Sequence, residues 1–126
     1  MTSDIKFNIS KPNIYFDENG ENCEYVITES SGRCGCSLYY YTSEPDKIYI
    51  ANVKVEPEYR RKGLATKMLD AVFTYIKVMQ QFSMIYLWVE DSSWMEQWYY
   101  KLGFKFLYRA DSKYIWLYFP LDVSDK

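Results

Sequence analysis

Along most of this 126-residue chain apolar and polar residues alternate, and the period lengthens from two to three or four in two places only. Residues 24–28 (Glu-Tyr-Val-Ile-Thr) and 34–42, rich in tyrosine, have the period of half-buried strands. Ser30-Ser31-Gly32 supplies turn chemistry between them, so the pair predicts an antiparallel hairpin. After a second turn at Ser43-Glu44-Pro45-Asp46, residues 47–55 carry Ile48, Ile50, Val53 and Val55 and predict a strand buried on at least one face. The period then changes. Ala65, Met68, Leu69, Val72, Tyr75, Ile76 and Met79 recur at helical spacing, with Thr66, Lys67, Asp70, Thr74 and Lys77 between them, which predicts an amphipathic helix lying on one face of a sheet. Residues 84–89 are an unbroken apolar run, as expected of a strand covered on both faces and parallel to the strand before the helix. Strand, helix and strand make a right-handed βαβ crossover.

A second, shorter helix is signalled by the capping box Ser93-x-x-Glu96 and stops at Gly103, the residue type that takes the left-handed position after a helix. Residues 104–108 and 113–119 flank a turn at Ala110-Asp111-Ser112 and form a final hairpin, which Pro120 closes. Residues 1–22 hold short apolar groups broken by Pro12 and by Asp17-Glu18-Asn19-Gly20, and predict at most two short strands. The whole reads as one α+β domain over 1–126, with a mixed, mostly antiparallel sheet and one parallel crossover. Its parts are a reduced N-terminal segment (1–22), a hairpin and strand (24–55), a loop and helix (56–79), and a strand, capped helix and hairpin (84–119).

Composition narrows the chemistry. Apolar residues make up 48% of the chain, enough for a packed core, and its fourteen Tyr, seven Phe and four Trp are mostly packing material. A net charge of -2 argues against a general nucleic-acid binder. No apolar run reaches about 18 residues, and Met-Thr-Ser-Asp-Ile-Lys lacks the apolar stretch of a signal peptide, so the expectation is a cytoplasmic protein with no membrane partner. Cys23, Cys34 and Cys36 do not make a disulfide framework, and Cys34 and Cys36 fall on the same face of a strand. With no histidine and no C-x-x-C pair, no metal site is expected.

The most informative stretch is Val53 to Leu69, V-K-V-E-P-E-Y-R-R-K-G-L-A-T-K-M-L, where a strand runs through a basic turn directly into a helix. Gly63 and Ala65 let backbone amides approach an anion, the helix aims its positive end there, and Arg60, Arg61 and Lys62 add charge. A P-loop does not fit, since no Gly-Lys-Ser/Thr follows a longer glycine loop; a dinucleotide fold does not fit, since G-x-G-x-x-G is missing.

The turn Arg60-Arg61-Lys62-Gly63-Leu64-Ala65 resembles the acetyl-CoA pyrophosphate loop of the GNAT superfamily of N-acetyltransferases. Trp98-Tyr99-Tyr100-Lys101-Leu102-Gly103-Phe104 is similar to that family's Y-x-K-L-G-F segment, and the two pieces stand at the right separation. The resemblance covers roughly residues 24–119. It implies a sheet whose strands on either side of the long helix splay apart, and acetyl-CoA as cosubstrate without a metal. The reaction it implies is transfer of acetyl to a primary amine by direct attack in a ternary complex, so Cys34 and Cys36 are not needed as nucleophiles. Arg60, Arg61, Lys62, Gly63, Leu64, Ala65 and Thr66 would hold the diphosphate. The backbone of Val53, Lys54 and Val55 would bind the pantetheine arm and polarise the thioester oxygen. Tyr99 would be the general acid that protonates the departing thiolate, with Tyr100 turned away by about 100° as packing or surface.

Departures from the family pattern bear on the acceptor. Ser92 stands where relatives often carry an Asn that touches the CoA arm. Residues 47–55 contain no carboxylate, which leaves Glu90 as the candidate base. A site without a strong base suits an amine of low pKa, because deprotonating a lysine instead of an α-amine costs roughly 3.7 kcal/mol more at neutral pH. Residues 1–23 have no room for the two helices that many relatives insert there. The acceptor, whose identity the sequence leaves open, would be recognised by the N-terminal segment, by the hairpin around Asp111, or by a second copy in a homodimer. An acyl-CoA-binding module with little or no catalysis is the alternative reading.

Overall fold

The computed structural model of the chain describes residues 5–60 and 63–121. Among these, the alternating stretches become eight strands of one sheet: β1 (Phe7–Ile9), β2 (Asn13–Asp17), β3 (Gly20–Glu29), β4 (Cys34–Tyr41), β5 (Lys47–Val55), β6 (Met84–Glu90), β7 (Lys105–Arg109) and β8 (Tyr114–Pro120). Two helices, α1 (Leu64–Met79) and α2 (Trp94–Leu102), join them. The strand order is β1-β3-β4-β5-β6-β8-β7, with β2 also paired to β3. Every pairing is antiparallel except β5 with β6, which is the crossover over α1.

β3 is longer than the sequence pattern suggests, because it carries two partners along one edge. β1 pairs with its last residues, Ile27 to Glu29, and β2 with Gly20 to Glu24. Ser10 bridges the gap between β1 and β2: its amide donates to the Val26 carbonyl and its hydroxyl accepts from the Val26 amide, both at 2.9 Å. The N-terminal segment thus extends the sheet edge with two strands.

Both helices pack on one face of the sheet. Ile27, Cys36, Leu38, Ile48, Ile50, Ile85, Leu87, Ile115 and Leu117 alternate inward and meet Leu64, Met68, Leu69, Val72 and Ile76 of α1 in a single core. Burial of each such aliphatic side chain stabilises the fold by about 1.5–3 kcal/mol. The other face of β6 is not covered as its sequence suggests. Ile85, Leu87 and Val89 are buried, but Trp88 between them is 51% exposed, because its face of the sheet carries aromatic side chains and no helix among the described residues. α2 ends as expected at Gly103, whose φ is 111°. A Cβ there would come within 2.9 Å of the Phe119 ring, so packing and backbone both require glycine.

The β3–β4 turn is clamped by charge. Arg33 donates from Nε and Nη2 to the Glu29 carboxylate at 3.0 and 2.8 Å, its amide adds a third bond, and Glu29 is 1% exposed. These bonds outweigh the desolvation of the carboxyl and pull its pKa from 4.5 down to about 2. A carboxyl depressed by folding adds stability above its unfolded pKa and loses it as pH falls, here between 4.5 and about 2. Urea melts of Glu29→Gln should therefore show a loss of about 2–3 kcal/mol at neutral pH, with the gap to the unmodified protein closing in acid.

Candidate active site

β5 and β6 run together for three residue pairs, Lys47–Met84, Ile48–Ile85 and Tyr49–Tyr86, and then part. The cause lies in β5. Ser37 of β4 faces Ala51 and Gly35 faces Lys54, so Asn52 and Val53 both stand opposite Cys36 in a β-bulge. Asn52 has φ 56°, a left-handed conformation that asparagine tolerates better than the β-branched residues around it. The bulge bends β5 away from β6. From Ile50 to Val55 its edge toward β6 has no strand partner among the described residues, which leaves backbone groups there open to a ligand, the Val55 carbonyl excepted.

On the helix face of this fork lies a cleft of about 700 Å³. Val53, Lys54 and Val55 form one wall, Tyr59, Arg60, Gly63, Ala65 and Thr66 the floor at the start of α1, and Trp94, Met95 and Trp98 of α2 the opposite wall. Gly63 caps α1 with φ 78°, and no side chain bonds to the first-turn amides, which are the N–H groups a helix cannot satisfy itself. No acidic residue stands in that first turn. Among the described residues nothing lies within 4 Å of where a Cβ on Gly63 would be, so an anion can approach the backbone closely. The cleft therefore has a largely apolar lining and, at the start of α1, first-turn amides without a side-chain partner among the described residues beside the Arg60 guanidinium. An anionic group on an apolar arm fits it.

The structure gathers Val53, Lys54, Val55, Arg60, Gly63, Ala65 and Thr66 into this one cleft. Arg61 and Lys62 lie outside the described residues. Leu64 turns its side chain into the core at 5% exposure, which leaves only its amide on the cleft side of the helix start. Arg60 donates from Nε to the Val55 carbonyl at 3.1 Å, so that acceptor is already engaged. Ser92 sits in the β6–α2 turn with φ 62°, its amide donating to Glu96 Oε1 at 2.6 Å, away from the cleft lining. Glu96 completes the capping box by reaching past Ser93 to Ser92, while its own amide donates to Ser93 Oγ at 3.2 Å. Its other oxygen accepts from the Tyr100 hydroxyl at 2.8 Å.

Tyr99 is 2% exposed, with its ring 5.0 Å from Trp98 and 5.5 Å from Phe104. Burial, with a smaller contribution from Cys36, pushes the phenol well above its usual range and keeps it protonated. Its hydroxyl has no hydrogen-bond partner among the described residues. Glu90 stands on the opposite face of the sheet, exposed at the end of β6.

Four lining residues were not singled out from the sequence: Tyr59, Trp94, Met95 and Trp98. The signal for the last three was a spacing of one and four positions on a capped helix, which places them on one side. Tyr59 is aimed by the hairpin clamp. Arg33 holds its guanidinium 5.6 Å over the Tyr59 ring, and the Glu56 amide donates to the Arg33 carbonyl at 2.9 Å.

Residues 20–106 match a protein family described as an acetyltransferase (GNAT) domain. Among solved structures the fold is similar to that of the ribosomal-protein-S18-alanine N-acetyltransferase from Escherichia coli, with a TM-score of 0.62 and 18% identity over 79% of this chain and 68% of that one. It is similar to the IAA acetyltransferase from Bacillus cereus, with a TM-score of 0.63 and 20% identity over 79% and 78% of the two chains. It also resembles the PaiA N-acetyltransferase from Thermoplasma acidophilum in complex with coenzyme A, at 0.64 and 18% over 82% and 63%. No curated protein matches the chain by sequence.

Replacing Ala65 by Glu tests the cleft without harming the helix. A carboxylate in the first turn favours α1 through the helix dipole, yet it fills and charges the anion end. Ala65→Glu should leave the melting temperature unchanged or slightly raised, and weaken acetyl-CoA binding by at least about tenfold in calorimetry.

Proposed function

The chain belongs to the GNAT family of acetyltransferases, a family of acyltransferases, and on that premise we propose that it moves an acetyl group from acetyl-CoA to a primary amine by direct attack in a ternary complex. The observation that carries this reading is the fork between β5 and β6 with an uncapped helix start at its base. One of the solved structures of this fold, the PaiA enzyme, holds coenzyme A, which supports the choice of donor.

Each part of the cleft has a task in this reading. The amides of Gly63, Leu64, Ala65 and Thr66, with Arg60, take the diphosphate, and Arg61 and Lys62 add positive charge in the same stretch of sequence. The open edge of β5 at Val53 to Val55 aligns the arm, and Trp94, Met95 and Trp98 exclude water from it. The thioester supplies an activated carbonyl. The amine nitrogen attacks that carbon, the new C–N bond forms as the C–S bond breaks, and the thiolate takes a proton from Tyr99. Burial keeps the Tyr99 phenol protonated at neutral pH, so it stands beside the sulfur as a hydrogen-bond and proton donor. The acceptor ammonium first loses one proton toward the open face, where Glu90 is the carboxylate on β6, and the second nitrogen proton, released as the amide forms, restores the Tyr99 phenol by way of water.

Tyr99→Phe removes a hydroxyl that has no partner among the described residues, so stability should hold or rise slightly. Loss of the acid should lower kcat about 10²–10⁴-fold in an assay of released thiol with the melting temperature retained. If Glu90 takes the amine proton, the acidic limb of the pH–rate profile flattens in Glu90→Gln; a profile that overlays the unmodified protein removes Glu90 from the mechanism.

A binding module without turnover is the second reading, and it is favoured by the lack of a carboxylate among the described residues that line the cleft. Thermal stabilisation by acetyl-CoA with no thiol released across a broad panel of amines would establish it in place of the first.

A further inference from the structure

The sheet has two outer edges, and they are not alike. At one end β7 exposes Phe106, Leu107 and Tyr108, but Leu107 bulges from its pairing with β8, and Lys105 and Arg109 stand at its ends. Two such strands set antiparallel about Leu107 would oppose Lys105 to Arg109 at both ends. Charge and shape thus guard this edge against its own copy. The other edge is shared by β1 and β2. There Asn13-Ile14-Tyr15-Phe16-Asp17 of β2 pairs with β3 in unbroken register and contains no basic residue. Its outer side has no strand partner among the described residues.

Alternation sorts β2 by face. Asn13, Tyr15 and Asp17 share the open face with Tyr41, whose hydroxyl donates to Asp17 Oδ2 at 3.1 Å. Ile14 and Phe16 lie on the helix face, where they are 54% and 74% exposed. The backbone is sorted in the same way. The Glu21 carbonyl accepts from the Thr42 amide, and on the other side of β3 the Val26 carbonyl accepts from the Ser10 amide. Glu21 and Cys23 therefore turn their backbone groups toward β4, whereas Asn22 and Glu24 turn theirs toward β2. Asn13, Tyr15 and Asp17 bond to β3, and the N–H and C=O groups of Ile14 and Phe16 point out of the sheet. The residues with the most exposed apolar side chains on this edge are thus also those with free backbone groups.

We propose that β2 pairs antiparallel with β2 of a second copy of this chain, about a two-fold axis at Tyr15, and joins the two sheets edge to edge. In that register Ile14 stands opposite Phe16 of the second copy, on both sides of the axis, and their outward N–H and C=O groups exchange hydrogen bonds. All of these side chains lie on the helix face, so the exposed Ile14 and Phe16 of both copies close into one apolar cluster. Charge is complementary as well. Lys11 precedes β2 and Glu18 follows it, so antiparallel pairing brings each Lys11 to the Asp17-Glu18 turn of the other copy. Pro12 has no N–H to offer and limits the pairing to β2 itself. A patch of this size stands at the small end of specific interfaces, which sets a dimer that dissociates on dilution. β3 and β4 separate β2 from β5, so each copy keeps its cleft open.

Sedimentation of the full chain should show a mass that doubles as its concentration rises from ~1 μM toward ~1 mM. Phe16→Lys should move the midpoint at least about tenfold higher while the melting temperature of the dilute protein holds. Adding Ile14→Glu to Phe16→Lys sets opposite charges across the axis and should recover part of that loss. Register is read by cross-linking. In Tyr15→Cys the two Cα atoms fall about 4.5 Å apart, within disulfide reach, so mild oxidation should give a covalent dimer on a non-reducing gel. Leu107→Cys on the opposite edge should give none, and the buried Cys23, Cys34 and Cys36 leave the readout to the new thiol. A chain that stays monomeric at ~1 mM, a dimer indifferent to Phe16→Lys, or Tyr15→Cys that does not cross-link overturns the proposal. So does a monomer that pellets with phosphatidylglycerol vesicles and loses this with Phe16→Lys, which gives the patch to a lipid surface.

Discussion

Everything at the site depends on β5 and β6 bonding over three residue pairs and no more. A parallel pair that continued to Glu90 would satisfy the backbone of β5 internally and close the sheet. The bulge at Asn52 prevents this by setting two residues against Cys36 and turning the end of β5 outward. The freed edge gains its value from what surrounds it, since the same chain leaves β5 through the turn that begins α1. Strand edge and helix start are thereby held a few residues apart by covalent connection, and α2 needs only to wall the far side.

The hairpin of β3 and β4 keeps that turn in place from behind. Glu29 anchors Arg33, Arg33 covers Tyr59, and its carbonyl takes the amide of Glu56. A buried ion pair contributes little net stability against an apolar replacement, but it fixes direction well. Here the direction is that of Tyr59, which lines the cleft. The clamp thus links a sheet hairpin to the loop that leads toward α1.

Aromatic residues divide between two roles according to the face they occupy. On the helix face Tyr99, Phe73, Phe104 and Phe119 pack as core, and the burial that raises the Tyr99 pKa is the same burial that stabilises α2 against the sheet. On the open face the rings cover one another in place of a helix. β1 and β2 extend the sheet edge while the tyrosines shield its middle.

Local chemistry was legible in the sequence wherever neighbouring residues decide it. The basic turn into α1, the Ser93–Glu96 cap, the stop at Gly103 and the strand boundaries of β4, β5 and β6 follow from periodicity, capping and glycine geometry. The isolated Asn52 in a run of Ile, Tyr, Ala and Val was a readable sign of the bulge, although its consequence was not. Whether β6 is covered on both faces, where β3 finds two partners, and that Trp94 and Trp98 face Val53 across a cleft depend on pairs far apart in the chain. Register selects those pairs, and a shift of one residue would reverse every face. The sequence by itself determined a strand, a basic turn and a capped helix, and its resemblance to a known family implied that the two strands of the crossover part; only the tertiary structure decided where they part, because that point is set by the bulge opposite Cys36.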